Sequence, residues 1–272
     1  ATGYVPNADR QPASALLGEE NRGFFEKQLR EEGVVSELVS VPGSTRENIT
    51  LIQPEQEMHI RTQGYKADDN AVEALLETLA LAEGSNCILL SGSLPPGFTQ
   101  EQTAQVADKL NRLGIPMFCD LSATGYRWIM PSRPVLVKPN LAELEEWSEE
   151  KITTWGRLRE ITAQLTSQGT ALLLSRGAEG AIYLDGETVI GGRCMLEKAA
   201  VKTTVGCGDT LLSAFVFFSA TGLPAETALR KALAAAAANC LTPGAGSIDL
   251  QTMAELEADV QLYGEKHMKG QL

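Results

Sequence analysis

The sequence predicts an α/β fold with a mostly parallel central sheet, and three observations carry that expectation. From residue 68 onward, helix-period and strand-like segments alternate, which is how β-α-β units read in a sequence. The 272 residues, 43% of them apolar, suffice for one large domain, or for a domain with a small appendage. Neither a tandem repeat of solenoid period nor a low-complexity linker divides the chain.

Taken in order, the chain opens on "ATGYV", which reads as the edge of a strand; a start at Ala1 without Met reads as a processed or truncated end. Residues 34–64 trade polar and apolar residues over short distances and are expected to form a small β appendage, with residues 1–33 and 65–272 as the core. Asp68 or Asp69 caps a helix whose Val72, Leu75, Leu76 and Leu79 share one face, with Gly84 at its end. "CILLS" follows as a buried strand. Thr99 and Gln102 form a capping box for a helix carrying Val106, Leu110 and Leu113 and ending at Gly114.

"IPMFCD" and "PVLVKPN" read as the next strands, and a helix with Leu158, Ile161 and Leu165 leads through Gly169 into the strand "ALLLS". "AIYLDGETVI" is a hairpin on an Asp-Gly turn, adding an antiparallel pair near the sheet edge. Two helical stretches, "LLSAFVFFSA" and "AETALRKALAAAAANC", close the core; the second is rich enough in small residues for a neighbour to pack closely on it.

Charge excludes one class of partner. The net charge is −12 and the 23 Lys and Arg are scattered, so no nucleic-acid face is expected. Cys87, Cys119, Cys194, Cys207 and Cys240 are odd in number and far apart, as reduced thiols of a cytoplasmic protein would be. With His59 and His267 as the only histidines, neither a His-rich metal site nor a His-based triad is expected. No apolar run approaches the roughly 20 residues of a membrane span, and no secretory signal is visible, so neither a membrane partner nor export is expected.

Four short patterns could carry chemistry. In "TVGCGD", Gly206, Cys207 and Gly208 can turn backbone amides toward an anion at the start of a helix, with Asp209 beside it to accept a proton from an attacking hydroxyl. The plainer alternative is an Asp N-cap after a glycine turn. In "LVKPNLAELEEW", Lys138 closes a strand, and Asn140 and Glu143 stand three apart at the start of a helix. They either orient Mg²⁺ or its water on nucleotide phosphates, or form a capping box.

"SGSLPPG" is a strand-to-helix loop able to bind a sugar phosphate or simply to turn the chain. In "SRGAEGA", Ser175, Gly177 and Gly180 would let a nucleotide lie against backbone, or would make a tight turn. Arg46 and Asn48 are read on one face of a strand in the appendage, where a surface ion pair is the common fate of such an Arg. Neither a Walker loop nor a full Gly-x-Gly-x-x-Gly pattern is present.

The joint order of "STREN", "SGSLPPG", "LVKPNLAELE", "SRGAEGA", "TVGCGD" and "TPGAG" resembles the PfkB (ribokinase-like) family of sugar kinases. "VKPN" with "SGSLPPG" points to its phosphofructokinase and tagatose-phosphate kinase branch; "RTQGYKAD" and the Trp of "LEEW" are most similar to bacterial 1-phosphofructokinases. The resemblance implies a ribokinase-like three-layer α/β/α fold with a β lid, and an enzyme using ATP and Mg²⁺ to phosphorylate a phosphorylated ketohexose, foremost fructose 1-phosphate. Tagatose 6-phosphate and fructose 6-phosphate are the nearest alternatives.

It implies Asp209 as catalytic base and the amides of Gly206, Cys207 and Gly208 as anion hole. Asn140, Glu143, Ser175, Gly177, Gly180 and Asn239 would serve the nucleotide, with Glu143 reaching the metal through water. Arg46, Ser93 and Lys138 would lie near the sugar's phosphate. The lid would close over the sugar and could pair two subunits. Cys207 replaces the family's usual Ala, where backbone carries the function. Relatives carry a sugar-binding Asp and a Gly-Gly…Asn motif on an opening strand ahead of "ATGYV"; a chain lacking them would be a catalytically silent nucleotide- or sugar-phosphate-binding relative.

Overall fold

The computed structural model describes residues 13–53 and 56–268, so the "ATGYV" strand lies outside the described residues. The chain divides into two compact units, one holding Cys87–Gly92 and Pro116–Leu272, the other Asn7–Asn86 and Ser93–Ile115.

The larger unit is built on a seven-stranded sheet. Strands β5 (Ile88–Gly92), β6 (Met117–Leu121), β7 (Leu136–Val137) and β8 (Ala171–Ser175) run parallel; β9 (Ala181–Leu184), β10 (Val189–Cys194) and β11 (Val260–Gly264) continue antiparallel, in spatial order β11-β10-β9-β8-β7-β6-β5. Five of these seven strands thus point the same way. The hairpin read at "AIYLDGETVI" is β9–β10, one strand in from the edge, because β11 pairs outside it.

Strand β8 is a continuous apolar run because both its faces are covered. Leu173 meets helices α7 (Cys207–Ala220) and α8 (Ala225–Cys240) in one core with Leu211, Phe215, Leu229 and Ala232. Side chains alternate across a strand, so Leu172 and Leu174, both fully buried, face the opposite layer, where α6 (Trp155–Ser167) packs on β8 through Leu158, Ile161 and Leu165. Two short helices, α4 (Ala123–Ile129) and α5 (Leu141–Ser148), pack on each other, and α9 (Leu250–Glu257) packs on α8. The result is the expected three-layer α/β/α arrangement. The alanines of α8 are what let it lie so close to α7: Ala228, Ala232, Ala234 and Ala235 are buried to 1% exposure or less.

In the smaller unit, β1 (Ala13–Gly18), α1 (Arg22–Glu31) and β2 (Ser36–Val41) form a parallel β-α-β unit in which Ala13 pairs Ser36 and Gly18 pairs Val41. Helices α2 (Asp69–Thr78) and α3 (Gln100–Leu113) complete it, linked by a hydrogen bond from Gln102 Nε2 to Asp69 Oδ1. Both begin as read: Asp68 caps α2, and Thr99 with Gln102 forms the capping box of α3, which ends on the left-handed Gly114. Residues 34–64 are therefore not one appendage. Val41 is fully buried with Ala67 and Ala71, which ties β2 to β1 and α2; the separate antiparallel hairpin is β3 (Asn48–Gln53) with β4 (Gln56–Arg61). The hairpin pairs Ile49 with Ile60 and Leu51 with Met58, and all four side chains are exposed.

Candidate active site

In the larger unit, β5, β6 and β7 are parallel, so their carboxyl ends lie along one edge of the sheet, where α/β folds place ligand-binding groups. Ser91 of β5 and Asp120 of β6 are register partners there. Lys138, just past β7, is held by its amide to the Cys119 carbonyl at 2.8 Å, and its Nζ lies 3.1 Å from Asp120 Oδ2. Lys138 is only 4% exposed, so this is a buried ion pair. Burial raises the Asp120 carboxyl above the ordinary carboxylate range; Lys138 pulls it down, and the charges of Asp209 and Glu143 push it up further. Desolvation outweighs the pairing.

Helix α7 starts on this edge. Its N-cap, Gly206, has φ 82°, and a Cβ there would fall 2.6 Å from the Gly246 amide nitrogen, so the "TPGAG" turn packs directly on the corner. Amides in the first turn of a helix have no helical carbonyl to bond, and they carry the positive end of the dipole. A Cβ on Gly208 would lie 3.2 Å from Lys138 Nζ. The corner therefore combines first-turn amides with an ammonium group and has little room for a side chain.

Asp209 is the third residue of α7, and no side chain caps this helix. The plain N-cap reading thus does not describe it. Among the described residues its carboxylate has one hydrogen bond, from Ser91 Oγ at 3.5 Å, a distance at which such bonds are weak. It remains available as a proton acceptor.

Asn239, read as a nucleotide residue, is fully buried. Its Nδ2 donates to the Val205 carbonyl at 3.0 Å and to Cys207 Sγ at 3.1 Å, while its Oδ1 accepts from the Gly246 amide at 2.7 Å. The side chain braces the start of α7 against the "TPGAG" turn.

Asn140 and Glu143 form the capping box of α5: the Glu143 amide donates to Asn140 Oδ1 at 2.9 Å and the Asn140 amide to Glu143 Oε2 at 2.8 Å. The alternative reading at this site is thus realised, and it fixes where Glu143 Oε1 stands. Ser175 is bridged to Asn140, and its amide donates to the Pro139 carbonyl at 3.0 Å. The "KPN" turn and the end of β8 are thereby one structure.

The two glycines after Ser175 differ. Gly177 has φ 57° with open space where a Cβ would be, whereas a Cβ on Gly180 would lie 2.0 Å from the Gly192 carbonyl oxygen. The close approach of β10 thus accounts for glycine at position 180, as the tight-turn alternative for this motif has it.

The structure brings Lys138, Gly206, Cys207, Gly208 and Asp209 to one corner, and Asn140, Glu143 and Ser175 to one neighbouring turn. Arg46 and Ser93 belong to the smaller unit. Arg46 is exposed in the loop two residues ahead of β3, not on a strand as read, and Ser93 is exposed in the loop after β5. Ser91 and Asp120 were not singled out from the sequence. Their signal was position, a hydroxyl and an acid at the ends of two neighbouring parallel strands. Among the described residues no cluster of three His, Cys, Asp or Glu side chains could cage a metal, and no helix is long and apolar enough to cross a membrane.

A three-layer α/β/α fold with a glycine-walled helix start and an available carboxylate at the strand ends is that of a phosphotransferase with an alcohol acceptor. The chain belongs to the pfkB family of carbohydrate kinases, whose pattern matches residues 13–253. It is 30% identical to 1-phosphofructokinase of Rhodobacter capsulatus over 79% of this chain and 69% of that protein. It is 26% identical to 1-phosphofructokinase of Borreliella burgdorferi over 85% and 76%. Phosphofructokinase-2 from Escherichia coli shares the fold, with a TM-score of 0.82 at 23% identity over 91% of this chain and 81% of that one.

Proposed function

We propose that the protein transfers the γ-phosphoryl group of ATP to O6 of fructose 1-phosphate, giving fructose 1,6-bisphosphate, ADP and a proton. The observation that carries this reading is Asp209, free of capping bonds and one residue past Gly208, where an added Cβ would lie 3.2 Å from Lys138 Nζ. The acceptor hydroxyl approaches a phosphoryl group held on the first-turn amides of Gly206, Cys207 and Gly208, and Asp209 takes its proton as the new P–O bond forms. Lys138, buried against Gly208, holds negative charge at this corner; Asn239 keeps the corner in shape. The names of the curated relatives support fructose 1-phosphate as the acceptor.

The residues fit Mg²⁺ in one specific way. With no acidic cage among the described residues, the ion would be held by nucleotide phosphates and water, the mode Mg²⁺ prefers. Glu143 Oε1, left over by the capping box, would face its water shell, and Ser175 and Gly177 would flank the nucleotide. When bound, Mg²⁺ supplies neutralisation of the phosphate charges.

We assign the sugar's own phosphate to Arg46 and Ser93. ATP consumption measured in parallel with fructose 1-phosphate, fructose 6-phosphate and tagatose 6-phosphate tests the substrate. Arg46→Gln should raise KM for the preferred one about 10- to 100-fold with kcat little changed, the weight of a charge-assisted hydrogen bond of roughly 1.5–3 kcal/mol. An unchanged KM would refute the assignment.

The β3–β4 hairpin takes the role of lid, excluding water as a competing acceptor, and its exposed face of Ile49, Leu51, Met58 and Ile60 pairs with a second copy. Met58→Asp should weaken self-association about tenfold or more, the equivalent of roughly 1.4 kcal/mol. Sedimentation equilibrium of both proteins reads this directly, and equal dissociation constants would remove the hairpin from the interface.

A further inference from the structure

The first residue of α7 and the last of α8 are both cysteines, and their Sγ atoms lie 2.8 Å apart. Both are free thiols and half-buried. Their position is unusual because Cys207 opens the helix that carries Asp209, while Cys240 follows Asn239, the residue that braces that corner.

We propose that Cys207 and Cys240 form a reversible dithiol–disulfide modification site that closes the phosphoryl-binding corner on oxidation by a hydroperoxide.

The chemistry follows from the surroundings of the two sulfurs. Cys207 Sγ shares a hydrogen bond with the Cys240 thiol and accepts one from Asn239 Nδ2, and these hold its pKa down to about 7 against burial and the charge of Asp209. Cys240 is shifted the opposite way, chiefly by its hydrogen bond with Cys207 and then by burial, and it lacks the second donor that Asn239 Nδ2 gives Cys207. Cys207 is therefore the nucleophile and Cys240 the resolving thiol.

The Cys207 thiolate attacks the terminal oxygen of the hydroperoxide. An S–O bond forms, the O–O bond breaks, and the departing alkoxide takes a proton to leave as an alcohol. Cys240 sulfur then attacks Cys207 sulfur, an S–S bond forms, and the S–O bond breaks to release water. In sum two thiols lose two electrons and the peroxide gains them; an external dithiol reverses the change by exchange. A disulfide needs an S–S separation of about 2.05 Å, so the sulfurs have less than about 1 Å to travel.

Closure has a direct consequence for the corner. It draws the start of α7 onto the end of α8 and replaces the thiolate that accepts from Asn239 Nδ2 with a disulfide sulfur, a poor acceptor. The amides of Cys207 and Gly208 then lose the positions set by that brace. This last step rests on the corner being the anion site of the proposed kinase.

The test is hydrogen peroxide titration of the protein, read three ways: non-reducing peptide mapping, hydrogen exchange of the Cys207–Thr210 amides, and ATP-dependent phosphorylation of the sugar phosphate. The expected result is a peptide linking Cys207 to Cys240, altered exchange at those amides, and a rate about 10²-fold lower, the cost of losing an anion-stabilising donor, restored by dithiothreitol. Cys240→Ser should keep the basal rate, give no linked peptide and leave a Cys207 sulfenic acid that dimedone traps; Cys240→Ala serves as a second variant.

Oxidation that yields only sulfinic or sulfonic acid, or a linked peptide with unchanged exchange, would overturn the proposal. A linked peptide with altered exchange, in a protein whose reduced form phosphorylates none of the three sugars, would instead sink the kinase reading and leave the thiol site standing.

Discussion

Asp209→Asn should lower kcat for the preferred sugar phosphate about 10²–10⁴-fold, the usual contribution of a positioned general base, with KM for ATP nearly unchanged. The reason is local. Asn keeps the size of the side chain and its contact with Ser91 but cannot take up the proton released as the hydroxyl attacks. Stability should barely move, because the carboxylate makes no capping bond and contributes only the charge of an acid in the first turn of α7, worth about 0.3–1 kcal/mol. Coupled ATP consumption and thermal melting on the same preparation check both halves. A variant within tenfold of the wild-type rate would remove Asp209 from the base role, and one that unfolds would make it a structural residue.

A second large effect is expected at the Lys138–Asp120 pair. Asp120→Ala leaves the Lys138 ammonium buried without its partner and should cost about 3–5 kcal/mol of folding stability. Urea unfolding measures this, and a loss below about 1 kcal/mol would mean that the ammonium finds water or another partner. The combined variant Asp120→Leu with Lys138→Met should recover most of the stability, since two apolar groups need no pairing. It should not recover activity, because the positive charge beside Gly208 would be gone.

The wild type also carries a pH signature. The folded-state pKa of Asp120 is raised above its unfolded value, so the folded protein binds the proton more tightly. Its contribution to stability is full below the ordinary carboxylate pKa of about 3.9 and is lost as pH rises through the raised value. Stability measured against Asp120→Asn should therefore decline from acid toward neutral pH, and a rising difference would contradict the burial argument.

The helices with strong local signals were legible in detail: the Thr99–Gln102 capping box, the Asp68 cap, the Gly114 terminator and the apolar face of α6 were all readable, whereas α3 buries Gln102, Thr103 and Ala107 with Leu110 and leaves Val106 and Leu113 half-buried. Helix α1 carried no such signal, since none of its residues is buried and Phe24 is 65% exposed. Strand β2 was grouped with the hairpin because alternation looks the same in a strand whichever partner it takes. Its parallel pairing with β1 depends on Val41 finding Ala67 and Ala71, residues more than twenty positions away.

Glycine patterns were legible as places where a side chain is excluded, but not as to what excludes it. At Gly208 the neighbour is a lysine ammonium; at Gly180 it is the carbonyl of Gly192. The same limit governed Asn239, which is a brace, and Asn140 with Glu143, which cap a helix whatever else they do.

Read alone, the chain specified its class of fold, most of its helices and the chemical character of the "GCGD" corner, because capping, periodicity and glycine geometry act over three or four residues. Which groups stand opposite that corner was set by folding alone. Ser91, Asp120 and Lys138 meet there because parallel strands bring their carboxyl ends to one edge, and Cys207 meets Cys240 because alanines let α7 and α8 lie close together; neither juxtaposition exists until residues 18 to 118 positions apart are packed into one core.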